Sequence, residues 1–195
     1  MKSKLDKILQ GWNLLTHPFY QSWSAGTLPV EALRVYAAEY GAYIASLPAA
    51  WETVGETETA REEREHALLW ERFVRALGSD VAAPALAETK ELAATAADLF
   101  VRPATALGAL YAFEVQQPET ASSKLRGLKT HYNFPPDAEH YFEVHSSNWH
   151  ESQRILELIA VLPPGQQAEA LVACETMGRA LWNALTGVHR STCMN

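Results

Sequence analysis

Residues 109–128 read ALYAFEVQQPETASSKLRGL, an apolar run with one acid, Glu114, near its middle. Ala109, Leu110, Tyr111, Ala112, Phe113 and Val115 surround that acid with hydrocarbon and rings. Pro118 then breaks the run, because proline lacks an N–H and its ring clashes with the carbonyl four residues back. Residues 119–128 read as a second helix carrying Lys124 and Arg126. A carboxylate in an apolar helix must be paired, protonated or bound to a metal, since burying it bare costs several kcal/mol or more. The stretch therefore predicts a buried helix, a break, and a demand for partners to Glu114.

The rest of the chain reads as helix almost throughout. Strand-like alternation of Val, Ile and Thr is nearly absent. Residues 2–11 predict a short amphipathic helix. Thr16 or His17 caps a helix with Pro18 at its first position, and Phe19, Tyr20 and Trp23 share one face. Gly26 ends it and Pro29 opens the next. Residues 30–53 predict one long helix whose stripe holds Leu33, Tyr36, Tyr40, Tyr43, Ile44 and Leu47. That stripe reads as a core seam or as the aromatic wall of a pocket.

Glu62, Glu63 and His66 lie on one face of the following helix, which Gly78 stops. A Glu three or four residues before a His is a ligand spacing of metal-binding bundles, and it is also common on solvated helices. Residues 80–101 predict an alanine-rich helix, ended at Arg102-Pro103. Residues 138–162 predict one helix carrying His140, His145 and His150. Steps of five residues rotate by about 140° net, so these histidines do not share a face. His145, a turn from Tyr141, Phe142 and Trp149, is the one expected to point inward. A last helix over residues 168–189 buries Leu171, Cys174, Met177, Leu181, Trp182 and Leu185.

Composition sets outer bounds. The chain has 195 residues, 48% hydrophobic and 20% charged, which fits one globular domain over residues 1–195. A formal net charge of -7 argues against a nucleic-acid partner. No apolar run nears the roughly 20 residues a membrane span needs, and the first residues lack a secretory signal core. A cytoplasmic location is the expectation. Cys174 and Cys193 form no CxxC, so neither a disulfide framework nor a thiolate zinc site is implied.

Four segments line up in order: THPFYQSWSAGTL, HALLWERFVRALG, ALYAFEVQQPETASSKLRGL and HYFEVHSSNWHES. Together they resemble the heme-oxygenase-like superfamily of TenA, PqqC and the chlamydial protein associating with death domains, most closely the last (CADD-like) group. The resemblance implies an all-α, single heme-oxygenase-like bundle of about seven helices, a homodimer, and an oxygen-dependent oxidase using iron or manganese, one or two ions. Of the ligand pattern it implies, His66, Glu114 and His145 match. Thr59, Trp149 and Ser152 stand where a Glu, an Asp and a His are expected. Glu62 or Glu63 can replace the first carboxylate. His150 and Glu151 lie near the lost pair but point elsewhere on a regular helix. Trp149 is the hardest departure, since indole is not a ligand and it fills space.

In that group the resemblance implies para-aminobenzoate formation for folate, consuming a tyrosine of the protein and taking nitrogen from a lysine. Tyr20 matches the tyrosine and Lys124 the lysine, with Tyr40 and Tyr43 near further family tyrosines. The substrate is then a small molecule or the protein's own side chains. His66, Glu114 and His145 alone would suit one Fe(II). The alternatives are a metal-free ligand-binding or cofactorless PqqC-like protein, and a TenA-like thiamin-pyrimidine hydrolase. The hydrolase needs a pocket cysteine that neither Cys174 nor Cys193 matches.

Overall fold

The computed structural model describes residues 1–193. The side chain of Cys193 lies outside the described residues. Among these residues there are helices and no strands. In chain order the helices are α1 (Lys2–Leu9), α2 (Pro18–Ser24), α3 (Val30–Ile44), α4 (Leu47–Thr53), α5 (Thr57–Ala76) and α6 (Ala87–Leu99). They continue as α7 (Pro103–Glu114), α8 (Gln117–His131), α9 (His140–His145), α10 (His150–Ala160) and α11 (Pro164–Cys193). Several follow one another across bends, α3 into α4, α7 into α8 and α9 into α10. Eight of these eleven segments run to eight residues or more, close to the seven helices expected.

The bundle is built around α7, whose residues from Ala104 to Glu114 are all buried. Helix α11 lies along it. A β-carbon on Gly108 would fall 2.0 Å from the Ala170 carbonyl oxygen, so only glycine permits this approach. Helix α2 places Phe19, Tyr20 and Trp23 in the same core, as their spacing predicts. His17 caps it: its Nδ1 accepts from the Phe19 N–H at 3.0 Å, so its Nε2 carries the proton, 3.0 Å from the Thr186 hydroxyl. The tyrosine stripe of α3 is buried throughout.

Four expectations need correction. The helix over residues 30–53 bends at Ala45 and Ser46, because Pro48 cannot donate to the Ile44 carbonyl. The alanine-rich helix begins at Ala87 rather than near residue 80. There Pro84 precedes an extended Leu86, and the Glu39 carboxylate of α3 accepts the Ala85 and Leu86 N–H groups. The helix over residues 138–162 is two helices, with a break at residues 146–149. Finally, α11 is longer than expected, and Leu171 and Trp182 are only half-buried.

The break after His145 contains no proline. It is a Ser-Ser-Asn run, whose side chains compete with the backbone for hydrogen bonds. Ser146 donates its hydroxyl to the Glu143 carbonyl at 2.8 Å and Ser152 donates to the Trp149 carbonyl at 3.1 Å. The Trp149 N–H turns to the Ser147 carbonyl, leaving the helical ladder.

Candidate metal centre

Helix α5 delivers Glu63 and His66, α7 delivers Glu114, α9 delivers His145 and α10 delivers Glu151. One donor atom from each of Glu63, His66 and His145 falls within 4.8 Å of the others. The two imidazoles meet edge to face with centroids 4.5 Å apart. His145 donates Nδ1–H to the Tyr141 carbonyl at 2.6 Å, which leaves the Nε2 lone pair free. Glu63 Oε1 accepts from His66 Nδ1 at 2.7 Å, so His66 also holds Nε2 free for another partner. A carboxylate behind an imidazole is how metal-bound histidines are oriented.

Glu114 and Glu151 lie outside that group of three but near enough to Glu63 for its charge to act on both. Both are 2% exposed, and each is close enough to act on the other's carboxyl. Oε1 of each has no hydrogen-bond partner. Burial, then the charges of Glu151 and Glu63, push the Glu114 carboxyl well above the usual carboxylate range. Burial and Glu63 push Glu151 the same way, while Asn148 and Glu114 hydrogen bonds oppose the rise. His145 is pushed down to about 3 by burial, with His66 and Lys124 adding to it. Burial also works against a charged His66, but Glu63, Glu151 and Glu62 outweigh it and raise its affinity for a proton.

One buried carboxylate thus meets two imidazoles, with two further buried carboxyls in its neighbourhood. Among the described residues no lysine or arginine pairs with any of the three. That leaves Oε1 of Glu114 and Oε1 of Glu151 buried without a donor. A bound cation would satisfy them, and the oxygen and nitrogen donors it would take are the set present here. The residues therefore fit a metal, on the evidence of the two orphaned carboxylate oxygens.

The match with expectation is uneven. His66 and His145 come together with Glu63, one of the two carboxylates offered for the first position, while Glu114 is buried outside this group of three. Glu62 is half-buried and lies outside the group. Glu151 was expected to point elsewhere, which holds only for an unbroken helix. The break at residues 146–149 re-aims α10 and turns Glu151 into the core. The SSN run was the available signal. Trp149 does not fill the site, being 51% exposed. Thr59 lines a surface cavity of about 320 Å³ with His150, Glu151 and Glu157. His140 and His150 are exposed.

A second polar group lies deeper in the bundle. Lys124 is 4% exposed, and its Nζ stands 3.4 Å from the Tyr20 hydroxyl and 3.3 Å from that of Tyr36. The two hydroxyls are 3.2 Å apart. The rings of Tyr20 and Phe142 lie 5.0 and 5.1 Å from Nζ. Burial alone pushes the Lys124 amine down to about 7, so a large share is neutral near neutral pH. Tyr40 donates its hydroxyl to the Leu181 carbonyl at 2.9 Å, a structural use. The Tyr43 hydroxyl is buried without a partner. Cys174 is buried and its thiol is pushed up to about 12, which leaves it a poor nucleophile.

Comparison with known proteins agrees with this architecture. A family model described as iron-containing redox enzyme matches residues 33–182. Over its whole length the chain is 34% identical to a 4-aminobenzoate synthase of Nitrosomonas europaea, covering 93% of that protein. It is 28% identical to a 4-aminobenzoate synthase of Chlamydia muridarum, with 97% of this chain and 91% of that one covered. Among solved structures, a TenA homologue from Pseudomonas syringae superposes with a TM-score of 0.81 at 16% identity, covering 96% of this chain and 92% of the other. A CADD-like protein of unknown function from Nostoc punctiforme superposes with a TM-score of 0.68 at 16% identity, covering 97% and 99%. At such identities the structural likeness speaks for the fold alone. No helix among the described residues is long and apolar enough to cross a membrane.

Proposed function

This chain belongs to the family of iron-containing redox enzymes, and we propose that it forms 4-aminobenzoate from its own side chains in an oxygen-dependent reaction. Tyr20 is the tyrosine consumed and Lys124 the source of nitrogen. The observation that carries this reading is the contact of 3.4 Å between the Lys124 amine and the Tyr20 hydroxyl, buried together with no carboxylate to hold the lysine charged. A surface lysine would be hydrated and protonated at neutral pH. Here burial favours the neutral amine, which has the lone pair a nucleophile needs.

Glu63, His66, Glu114, His145 and Glu151 would hold the metal, with the two histidines offering Nε2. Iron or manganese bound there would supply one-electron chemistry with dioxygen. Glu63 and the Tyr141 carbonyl orient the two imidazoles. Glu114 and Glu151 hold a proton between them that a cation displaces. The aromatic wall of Tyr20, Tyr36 and Phe142 excludes water from the lysine.

The test is anaerobic reconstitution with Fe(II), Mn(II) or both, followed by oxygen. The expected result is stoichiometric metal, oxygen uptake, 4-aminobenzoate in the filtrate, and altered masses at the Tyr20 and Lys124 peptides. Protein that holds no stoichiometric metal and takes up no oxygen overturns the proposal.

A further inference from the structure

Helix α8 buries Lys124 on one side and carries a polar stripe on the other. Glu119, Ser122, Ser123 and Arg126 follow at i, i+3, i+4 and i+7, so they share one face of the helix. Lys124 lies about 140° round from Glu119. The stripe lines a surface cavity of about 370 Å³, with Leu15 and Trp149 among its other walls. Trp149 is there because residues 146–149 leave the helical course between α9 and α10. Among the described residues it is the one ring in the set of exposed large apolar side chains, the others being valines and a leucine.

The charges in this cavity are unanswered. Glu119 and Arg126 stand two turns apart, about 10 Å along the axis, beyond the reach of an i,i+4 pair. Among the described residues neither side chain makes a hydrogen bond or an ion pair. A solvated helix face explains either charge alone. It does not explain an indole left in the open beside both, since an exposed ring rimmed by polar groups marks a contact surface.

We propose that this cavity binds an aromatic acid carrying an amine at the far end of its ring, and so holds 4-aminobenzoate as it leaves the protein. The ligand class rests on the function proposed above, and the cavity itself does not. Arg126 takes the carboxylate on its planar fork of donors. Glu119 accepts an N–H of the aryl amine. Trp149 covers the ring, and Leu15 supplies a second apolar wall. An α-amino acid bears both groups on one carbon and cannot reach both ends. The helix that offers the lysine nitrogen on its buried side thus offers a seat for the product on its outer side.

The experiment titrates metal-free, full-length protein with 4-aminobenzoate, benzoate, aniline and phenylalanine, read by saturation-transfer NMR and calorimetry. Without metal no product forms, so binding is measured apart from chemistry. 4-Aminobenzoate should bind saturably, and tighter than each of the others by about threefold or more. Arg126→Gln and Trp149→Ala should each weaken it by about fivefold or more. Glu119→Ala should bring its affinity down to that of benzoate. Arg179→Gln, which removes the same charge from the exposed face of α11, should leave binding unchanged. All four altered residues are exposed, so the fold is kept. Absence of saturable binding overturns the proposal, as does wild-type affinity in Arg126→Gln or Trp149→Ala. Wild-type protein that binds 4-aminobenzoate in this pattern, yet takes up no oxygen when loaded with metal, upholds the cavity and overturns the proposed function alone.

Discussion

Glu151 and Glu114 are buried close enough to act on each other's carboxyl, although the two stand on different helices and both would carry negative charge in water. Two carboxyls so placed hold a proton between them or a cation beside them. Without metal, their proximity lowers the stability of the fold at any pH where both ionise.

Replacing one of them therefore stabilises the metal-free protein. A carboxyl whose affinity for protons is raised by folding contributes stability at low pH and loses it as pH rises through the folded pKa. Glu151→Gln removes that loss. The variant should match wild type near pH 5 and exceed it at pH 8, by about 1–3 kcal/mol, in denaturant unfolding of metal-free protein. With Fe(II) or Mn(II) present the order should reverse, because the variant lacks a ligand. Equal stability of the two proteins at pH 8 would show that Glu151 is not an ionisable member of the cluster.

Lys124 makes the opposite pH signature. Its amine is pushed down to about 7, so between pH 7 and about 10 the unfolded chain binds the proton that the folded chain refuses. Stability then rises with pH across that window. Measured against Lys124→Met, which cannot titrate, wild type should gain a few kcal/mol, as an order of magnitude, from pH 7 to pH 10. Parallel curves for the two proteins would mean that Lys124 is hydrated in the folded state.

Gly108→Ala tests the contact between α7 and α11. The added carbon meets backbone rather than a side chain that can swing away. A loss of about 3 kcal/mol or more is expected, read from the urea midpoint. A loss below about 1 kcal/mol would show that the two helices can separate without cost to the core.

Trp149→Ala tests whether the indole blocks the centre. Trp149 is more than half exposed, so stability should change by less than about 0.5 kcal/mol. Metal stoichiometry should not change. A variant that binds more metal than wild type would place the indole inside the site after all.

The chain's own letters reveal the fold and part of the centre, and the reasons differ by residue. Glu114 is legible because a lone acid in an apolar run has few physical options. Tyr20 and Trp23 are legible because their spacing puts them on one face. The choice between Glu62 and Glu63 is not, since neighbouring positions on a helix differ by about 100° and only packing sets the zero of that angle. Glu151 is hidden for a stronger reason. Projecting side chains along a helix assumes the helix is continuous, and residues 146–149 interrupt it without a proline. Tyr36 reads only as core until its hydroxyl is seen against Lys124.

The interruption after His145 also makes the ligand set a matter of counting. Helix α10 leaves the joint at an azimuth set by the number of residues in it. Each residue added or removed there turns the helix by about 100°. Taking one residue out of the joint would swing Glu151 off the centre and bring a different α10 side chain opposite Glu114. The chain can thus exchange one donor for another by insertion or deletion at an exposed turn, with every ligand-bearing codon left as it was.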